Sequence, residues 1–441
     1  MKVVIMAGGR GTRIKSVASD IPKPMIVIEG MPVLEREILS LRNQGFFDLI
    51  LTVSHLGSII MDYFGNGSRL GVNIEYFYEE IPMGNAGALF KLKDKLTEQF
   101  LLINADAIFD VNFKRFIAYH KSHRGLVTLF THPNNHPYDS ALIVADKNKA
   151  VLSWLAKDDE RPKYYKNRVN AGLHIIEPEV LNMLDIDINK IGTESDGKVL
   201  KVDLDRQILK PLAGTGKMYC YDSPEYVKDM GTPERFFQVK EDYLAGRVIS
   251  KNLLKRQKAI FLDRDGTINV YKGFLNNIDK FELIPGAAEA IKKINTFGYL
   301  AIVVTNQPVI ARGEVTWEEL DEIHNKMETL LGLEGAFLDG IYFCPHHPHG
   351  GYEGEITELK LECECRKPKP GLLFKAAEDF NIDLSQSYMI GDRENDIKAG
   401  NIAGCKTALI NAIDIGHDNF GQDYTFKSLS EFVENILIKR K

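Results

Sequence analysis

The stretch Ala259-Ile260-Phe261-Leu262-Asp263-Arg264-Asp265-Gly266-Thr267 constrains the chain more than any other. Its apolar run reads as a strand buried on both faces, as in a parallel sheet covered by helices. Two carboxylates one residue apart follow, then Gly-Thr. Strand alternation sends Asp263 and Asp265 to the same side, toward the crevice beyond the strand ends where open α/β sheets bind ligands. Two acids placed there can serve one metal-bound phosphate. The plainer alternative is a strand running into an Asx-type turn.

At 441 residues the chain has room for two domains, three at most. A net charge of −6 gives no electrostatic reason to expect nucleic acid as a partner. No apolar run approaches the roughly 18 residues of a membrane span. The run Val3–Ala7 is short for a signal-peptide core and leads straight into a glycine turn. These features predict a cytoplasmic protein that handles small molecules, with neither nucleic acid nor membrane as partner; a homo-oligomer stays open. Of five cysteines, Cys344, Cys363 and Cys365 cluster, which without an export signal favours metal over disulfide.

In the first half, residues 2–7 read as a buried strand, and Gly8-Gly9-Arg10-Gly11-Thr12-Arg13 follows at once. It lacks the third glycine of a dinucleotide fingerprint and the Gly-Lys-Ser/Thr ending of a P-loop. A glycine turn after a first strand still lets backbone N–H groups close on phosphates, with Arg13 and Lys23 as cations; a tight turn with solvated basic residues is the alternative. Helix and strand signals then alternate through strands at 49–53, 72–77 and 100–103, which predicts a doubly wound α/β arrangement. Asp106 closes the last of these, as a site carboxylate or as a helix cap. Further strands are expected near 126–131, 141–144 and 169–176, with helices near 203–210 and 233–245.

Gly8-Gly9-x-Gly11-Thr12-Arg13, Pro22-Lys23-Pro24, Gly84-Asn85-Ala86-Gly87-Ala88, Asn104-x-Asp106, Asn170-Ala171-Gly172 and Asp229-x-Gly231-Thr232-Pro233 resemble the sugar-1-phosphate nucleotidyltransferases. The likeness covers about residues 1–245, in the family's order. It implies a Rossmann-like mixed sheet of GT-A type and attack by a sugar-1-phosphate oxygen on the α-phosphorus of a nucleoside triphosphate, expelling pyrophosphate. Arg13 and Lys23 would hold the triphosphate, Asp106 and Asp229 would carry Mg²⁺, and Lys157 would hold the sugar phosphate. Gly8, Gly9, Gly11, Thr12 and Asn85 would frame the nucleotide, with Asn104 and Asn170 near the sugar. Asn85 stands where the family more often has Thr.

Gly246 reads as a helix stop, and residues 247–257 as a basic linker. Beyond it, a helix over 287–296 and a strand over 300–304 lead to Thr305-Asn306-Gln307, with Arg312 close behind. Cys344-Pro345-His346 and Cys363-Glu364-Cys365 supply three thiolates and an imidazole, the ligand set of a closed tetrahedral zinc site. His347 and His349 compete with His346 for the fourth place. Arg366-Lys367-Pro368 comes next, then Gly391-Asp392 and, four residues on, Asp396.

The set D-x-D-G-T, Thr-Asn-Gln, Arg-Lys-Pro and Gly-Asp-x-x-x-Asp resembles the haloacid dehalogenase phosphatases over about residues 258–441. With the zinc loop, it is similar to the heptose 1,7-bisphosphate 7-phosphatases and the related histidinol-phosphate phosphatases. The resemblance implies Asp263 as nucleophile and Asp265 as acid and base. It implies Mg²⁺ on Asp263, Asp392 and the Asp265 carbonyl, and Thr305 and Lys367 on the phosphoryl oxygens. Asn306, Arg312 and Arg366 would meet the substrate. The first half is most similar to the heptose and mannose 1-phosphate guanylyltransferases. The expectation is therefore a two-domain α/β chain, a transferase over 1–246 and a phosphatase over 258–441, making a nucleotide-activated heptose from GTP. A histidinol-phosphate-like phosphatase beside a hexose-1-phosphate transferase, or a nucleotide-sensing first half, are the alternatives.

Overall fold

The structure, a computed structural model, describes residues 1–9, 14, 16–17, 20–183, 187, 190–195, 198–410 and 419–439. The chain divides into two compact units. One holds Met1–Thr131, Ile143–Leu155 and Asn170–Asn252; the other holds His132–Leu142, Ala156–Val169 and Leu253–Lys441. The chain therefore passes between them five times.

The first unit is built on a nine-stranded mixed sheet. Strand β1 (Val3–Met6) lies between β2 (Asp48–Val53) and β4 (Phe100–Asn104), parallel to both, and β3 (Asn73–Tyr78) extends the parallel side. Beyond β5 (Ala107–Asp110), the strands β6 (Val127–His132), β7 (Leu142–Ala145), β8 (Val151–Leu155), β9 (Val169–Ile176) and β10 (Met218–Asp222) complete the sheet, with β9 antiparallel to β4. Val3, Val4, Ile5, Leu101, Leu102 and Ile103 are all buried, as a two-sided parallel core requires. Outside that sheet, β5 pairs antiparallel with β11 (Tyr226–Asp229), setting Asp229 opposite Ala107. Helix α1 (Pro233–Leu244) starts on a Thr232 cap with Pro at its first turn.

In the second unit six strands are all parallel, in the order β14 (Gly340–Cys344), β13 (Leu300–Asn306), β12 (Ala259–Leu262), β15 (Tyr388–Gly391), β16 (Lys406–Ile410), β17 (Tyr424–Phe426). Alternation splits β12 between two cores. Ile260 and Leu262 pack with α2 (Ala287–Thr296) and α3 (Trp317–Leu333), while Ala259 and Phe261 pack with α4 (Gly371–Phe380) and α5 (Glu394–Ala403). The result is three layers, helix on sheet on helix. Helix α3 opens with a reciprocal capping box of Thr316 and Glu319. Residues Tyr165 and Asn167, which precede β9, are held on α3: Tyr165 N donates to Thr329 Oγ1 at 2.8 Å and Asn167 N to Glu328 Oε2. Among the described residues no helix is long and apolar enough to cross a membrane.

Candidate active sites

The neighbouring strands β13, β12 and β15 end side by side, and their ends supply one cleft of the second unit. Asp263 follows β12, Thr305 and Asn306 end β13, and Asp392 follows β15. Asp263 and Asp265 both line the cleft, with Thr305, Asn306, Arg366 and Lys367. Lys367 is buried, and its ammonium has three protons and three partners. It lies 2.8 Å from Asp263 Oδ1 and 2.6 Å from Asp396 Oδ1, and donates to Val304 O at 2.7 Å. Burial opposes its charge, but Asp263 and Asp396 outweigh burial and raise it further above the ordinary lysine value.

Oxygen atoms of Asp263, Asp392 and Asp396 lie within 4.8 Å of one another. Asp392 Oδ1 is buried with no hydrogen-bond partner among the described residues, and burial next to Asp263 pushes its carboxyl up to about 6. Three convergent carboxylates, one with an orphaned oxygen, suit a hard divalent cation. The Asp265 side chain is not in that group. Its carboxylate accepts from Arg264 Nη2 at 2.9 Å, Asn269 Nδ2 at 3.0 Å and Gln307 Nε2 at 2.9 Å. Burial works against its charge, yet these donors prevail and hold it below the usual carboxylate range. Gly266 sits at φ +85°, and a Cβ there would come 2.3 Å from Asp392 Oδ2; only glycine admits the second acid.

Asn306 clasps the Lys367 backbone, donating to its carbonyl and accepting from its N–H, both at 3.0 Å. Arg366 donates to His346 O at 3.0 Å, which ties the cleft wall to the cysteine loop. Arg312 is sandwiched between Phe274 and Tyr352, 4.2 and 4.1 Å from their ring centres, and paired with Glu314. In the loop, Cys344, His346, Cys363 and Cys365 converge. Their sulfurs are 3.2–3.5 Å apart, and His346 Nδ1 is 3.3 Å from Cys365 Sγ. These spacings are far beyond a disulfide and close to the edges of a tetrahedron around one metal. His347 Nδ1 is instead engaged by His349 O.

In the first unit, Gly8 and Gly9 follow β1 at the point where the strand order reverses. Gly11, Thr12 and Arg13 lie outside the described residues. Lys23 is buried on the turn Lys23–Met25, with Nζ 2.6 Å from Asp106 Oδ2. Met230 N donates to Asp106 O at 2.9 Å, so the pairing of β5 with β11 draws Asp229 to the same end. Arg235 of α1 is 2.9 Å from Asp229 Oδ2, and Gly231 N donates to Asp229 Oδ1. Burial would raise the Asp229 carboxyl, but Arg235 and that N–H lower it on balance. Asn104 lies across from Gly172, where a Cβ would come 2.6 Å from its Nδ2. Asn170 Oδ1 accepts from His174 Nε2 at 3.0 Å. Asn85 Oδ1 accepts from Leu204 N at 2.7 Å, fixing the 84–87 segment against Val202. Lys157 belongs to the other unit, where it is exposed and paired with Asp139.

Known proteins resemble each half of the chain. The nucleotidyl transferase family model matches residues 2–246, more than half of the chain, and the HAD-hydrolase-like model matches residues 364–431. The D-glycero-beta-D-manno-heptose-1,7-bisphosphate 7-phosphatase of Pasteurella multocida is 44% identical over 154 residues, 35% of this chain and 81% of that protein. The chain belongs to both families. The Escherichia coli K12 protein of the same name is 42% identical over 158 residues, 36% of this chain and 81% of its own length. The crystal structure of HddC from Yersinia pseudotuberculosis aligns with 25% identity over 55% of this chain and 99% of its own, at a TM-score of 0.46.

The chain is thus a nucleotidyl transferase joined to a HAD-type phosphatase. Arg264, Asn269 and Gln307, which grip Asp265, and Arg235, which pairs with Asp229, carry no role in the sequence reading above. Gln307 stands inside the Thr-Asn-Gln run, and Asn269 four residues past Asp265. Nothing local marks Arg235, which reaches its partner only through the fold.

Proposed function

We propose that the chain catalyses two consecutive steps, removal of the 7-phosphate from a heptose 1,7-bisphosphate and transfer of GMP from GTP to the heptose 1-phosphate so formed. The observation that carries this is the Asp263–Lys367–Asp392 cluster, in a chain 44% identical to heptose-bisphosphate 7-phosphatases over most of their length. GTP rests on the resemblance of the first half to guanylyltransferases. Transferase chemistry is assigned to residues within 1–246 and phosphatase chemistry to residues within 258–441.

In the phosphatase, Asp263 attacks phosphorus, forming an Oδ–P bond as the bond from phosphorus to the sugar oxygen breaks. Asp265 gives its proton to that leaving oxygen, then takes one from the water that splits the aspartyl-phosphate, releasing phosphate. An incoming phosphate brings negative charge next to Asp265, which shifts it toward the acid form the first step needs. Lys367 and Thr305 hold phosphoryl oxygens, and Asp396 fixes Lys367. A Mg²⁺ ion held by Asp263, Asp392 and the Asp265 carbonyl supplies charge neutralisation when bound. Arg366 faces the rest of the sugar. A Zn²⁺ ion on Cys344, His346, Cys363 and Cys365 supplies structural cross-linking of the loop.

In the transferase, Lys23 and Arg13 grip the triphosphate, while Asp106 and Asp229 offer the oxygen donors for a second Mg²⁺. Those acids are charge-balanced by Lys23 and Arg235. The test is to incubate the full chain with heptose 1,7-bisphosphate, Mg²⁺ and each nucleoside triphosphate in turn. Phosphate, pyrophosphate and a GDP-heptose are expected with GTP. Phosphate release without any nucleotide sugar, whichever triphosphate is supplied, would overturn the two-step reading.

A further inference from the structure

Arg264 is fully buried and faces two ways. Nη2 donates to Asp265 Oδ2 at 2.9 Å and Oδ1 at 3.2 Å, and Nη1 lies 3.3 Å from Nε2 of His324, halfway along α3. A guanidinium has donors and no acceptor, so Nε2 must accept, and the proton of a neutral imidazole sits on Nδ1. Burial, with Arg264 next to it, keeps His324 well below the usual histidine value, in keeping with that neutral state. His324 is wedged against the Phe343 ring, 5.5 Å between centres, so its own position is fixed. Among the described residues Arg264 Nε has no hydrogen-bond partner, which leaves the two Nη contacts to orient the fork.

We propose that His324 is a positioning residue of the phosphatase, acting through Arg264 to aim the Asp265 carboxyl at the leaving oxygen. The proposal rests on the reading of Asp265 as the group that protonates that oxygen. Asn269 and Gln307 also grip Asp265, so loss of His324 weakens the aim without abolishing it. His324 neither lines the cleft nor belongs to the carboxylate or cysteine clusters among the described residues, which distinguishes its role from that of the cleft residues.

Leaving groups supply the test. A sugar alkoxide departs only with a proton, whereas 4-nitrophenolate departs without one. In the full chain with Mg²⁺, His324→Leu should lower kcat on heptose 1,7-bisphosphate roughly tenfold or more, part of the 10²–10⁴ that a positioned acid contributes, and leave 4-nitrophenyl phosphate within about twofold. KM should hold. His324→Gln, whose side-chain carbonyl can accept from Arg264, should restore most of the rate. Should the leucine variant fail to fold, His324→Asn, too short to reach, takes its place. Equal losses on both substrates, or no loss on either, would overturn the role of His324. Asp265→Asn is the control for the underlying reading: if it fails to separate the two substrates, Asp265 is not the proton donor and the reading itself falls.

Discussion

Two substitutions separate the chemistries residue by residue. Asp263→Asn should cut phosphate release by roughly 10³-fold or more, the scale of a lost nucleophile. It should leave nucleotidyl transfer to supplied heptose 1-phosphate intact, while Asp106→Ala should do the reverse; assays of both products on each variant check this. Gly266→Ala should cost about 1–2 kcal/mol from its positive φ alone and abolish phosphate release, because its Cβ meets Asp392; a urea melt and a phosphate assay read the two effects. His174 gives a pH signature. It is fully buried, and burial drops it to about 3, so the unfolded chain, near 6.5, binds the proton first. Its contribution to stability is complete above pH 6.5 and is lost as pH falls from 6.5 toward 3, by roughly 2 kcal/mol at pH 5. His174→Gln, which keeps a donor for Asn170 and does not titrate, should flatten that acid limb in melts at pH 5 and 7.5. Carboxylates at strand ends were legible because alternation and glycine turns announce them. The groups that aim them were less so: Gln307 stands in a readable run, but it, Arg264 and Arg235 owe their roles to three-dimensional neighbours.

Among the elements, the loop from Cys344 to Cys365 makes the clearest commitment. It joins β14 to the Arg366–Lys367 turn, and Arg366 is fastened to His346 O. Cys365→Ser should lower zinc from one equivalent to none by elemental analysis and weaken phosphatase turnover through Arg366; full retention of zinc would refute the ligand set. Strands β12 and β13 and helix α2 follow directly from local pattern, because a buried parallel strand and an amphipathic helix each carry their period in the chain. The pairing of β5 with β11 does not. It joins residues more than a hundred positions apart and brings Asp229 to Asp106 by register alone, which only the family resemblance suggested. The same holds for residues 204–209, expected as ordinary helix and found wound as a π-helix.

For the whole molecule, sequence order suggests two successive blocks divided near 247–257, because composition, glycine stops and basic connectors are local features. What local features cannot reveal is that His132–Leu142 and Ala156–Val169 belong to the same compact unit as Leu253–Lys441. Their attachment is specific: Tyr165 also accepts a hydrogen bond from Thr329 Oγ1 at 3.1 Å, and Asn167 is buried. A gene split between codons 252 and 253 would strip the later unit of two segments that pack within it. The shorter polypeptide, made alone, should melt at a lower temperature than the same unit in the full chain. Co-expressed, the pieces should re-form a complex that survives affinity purification through a tag on either one.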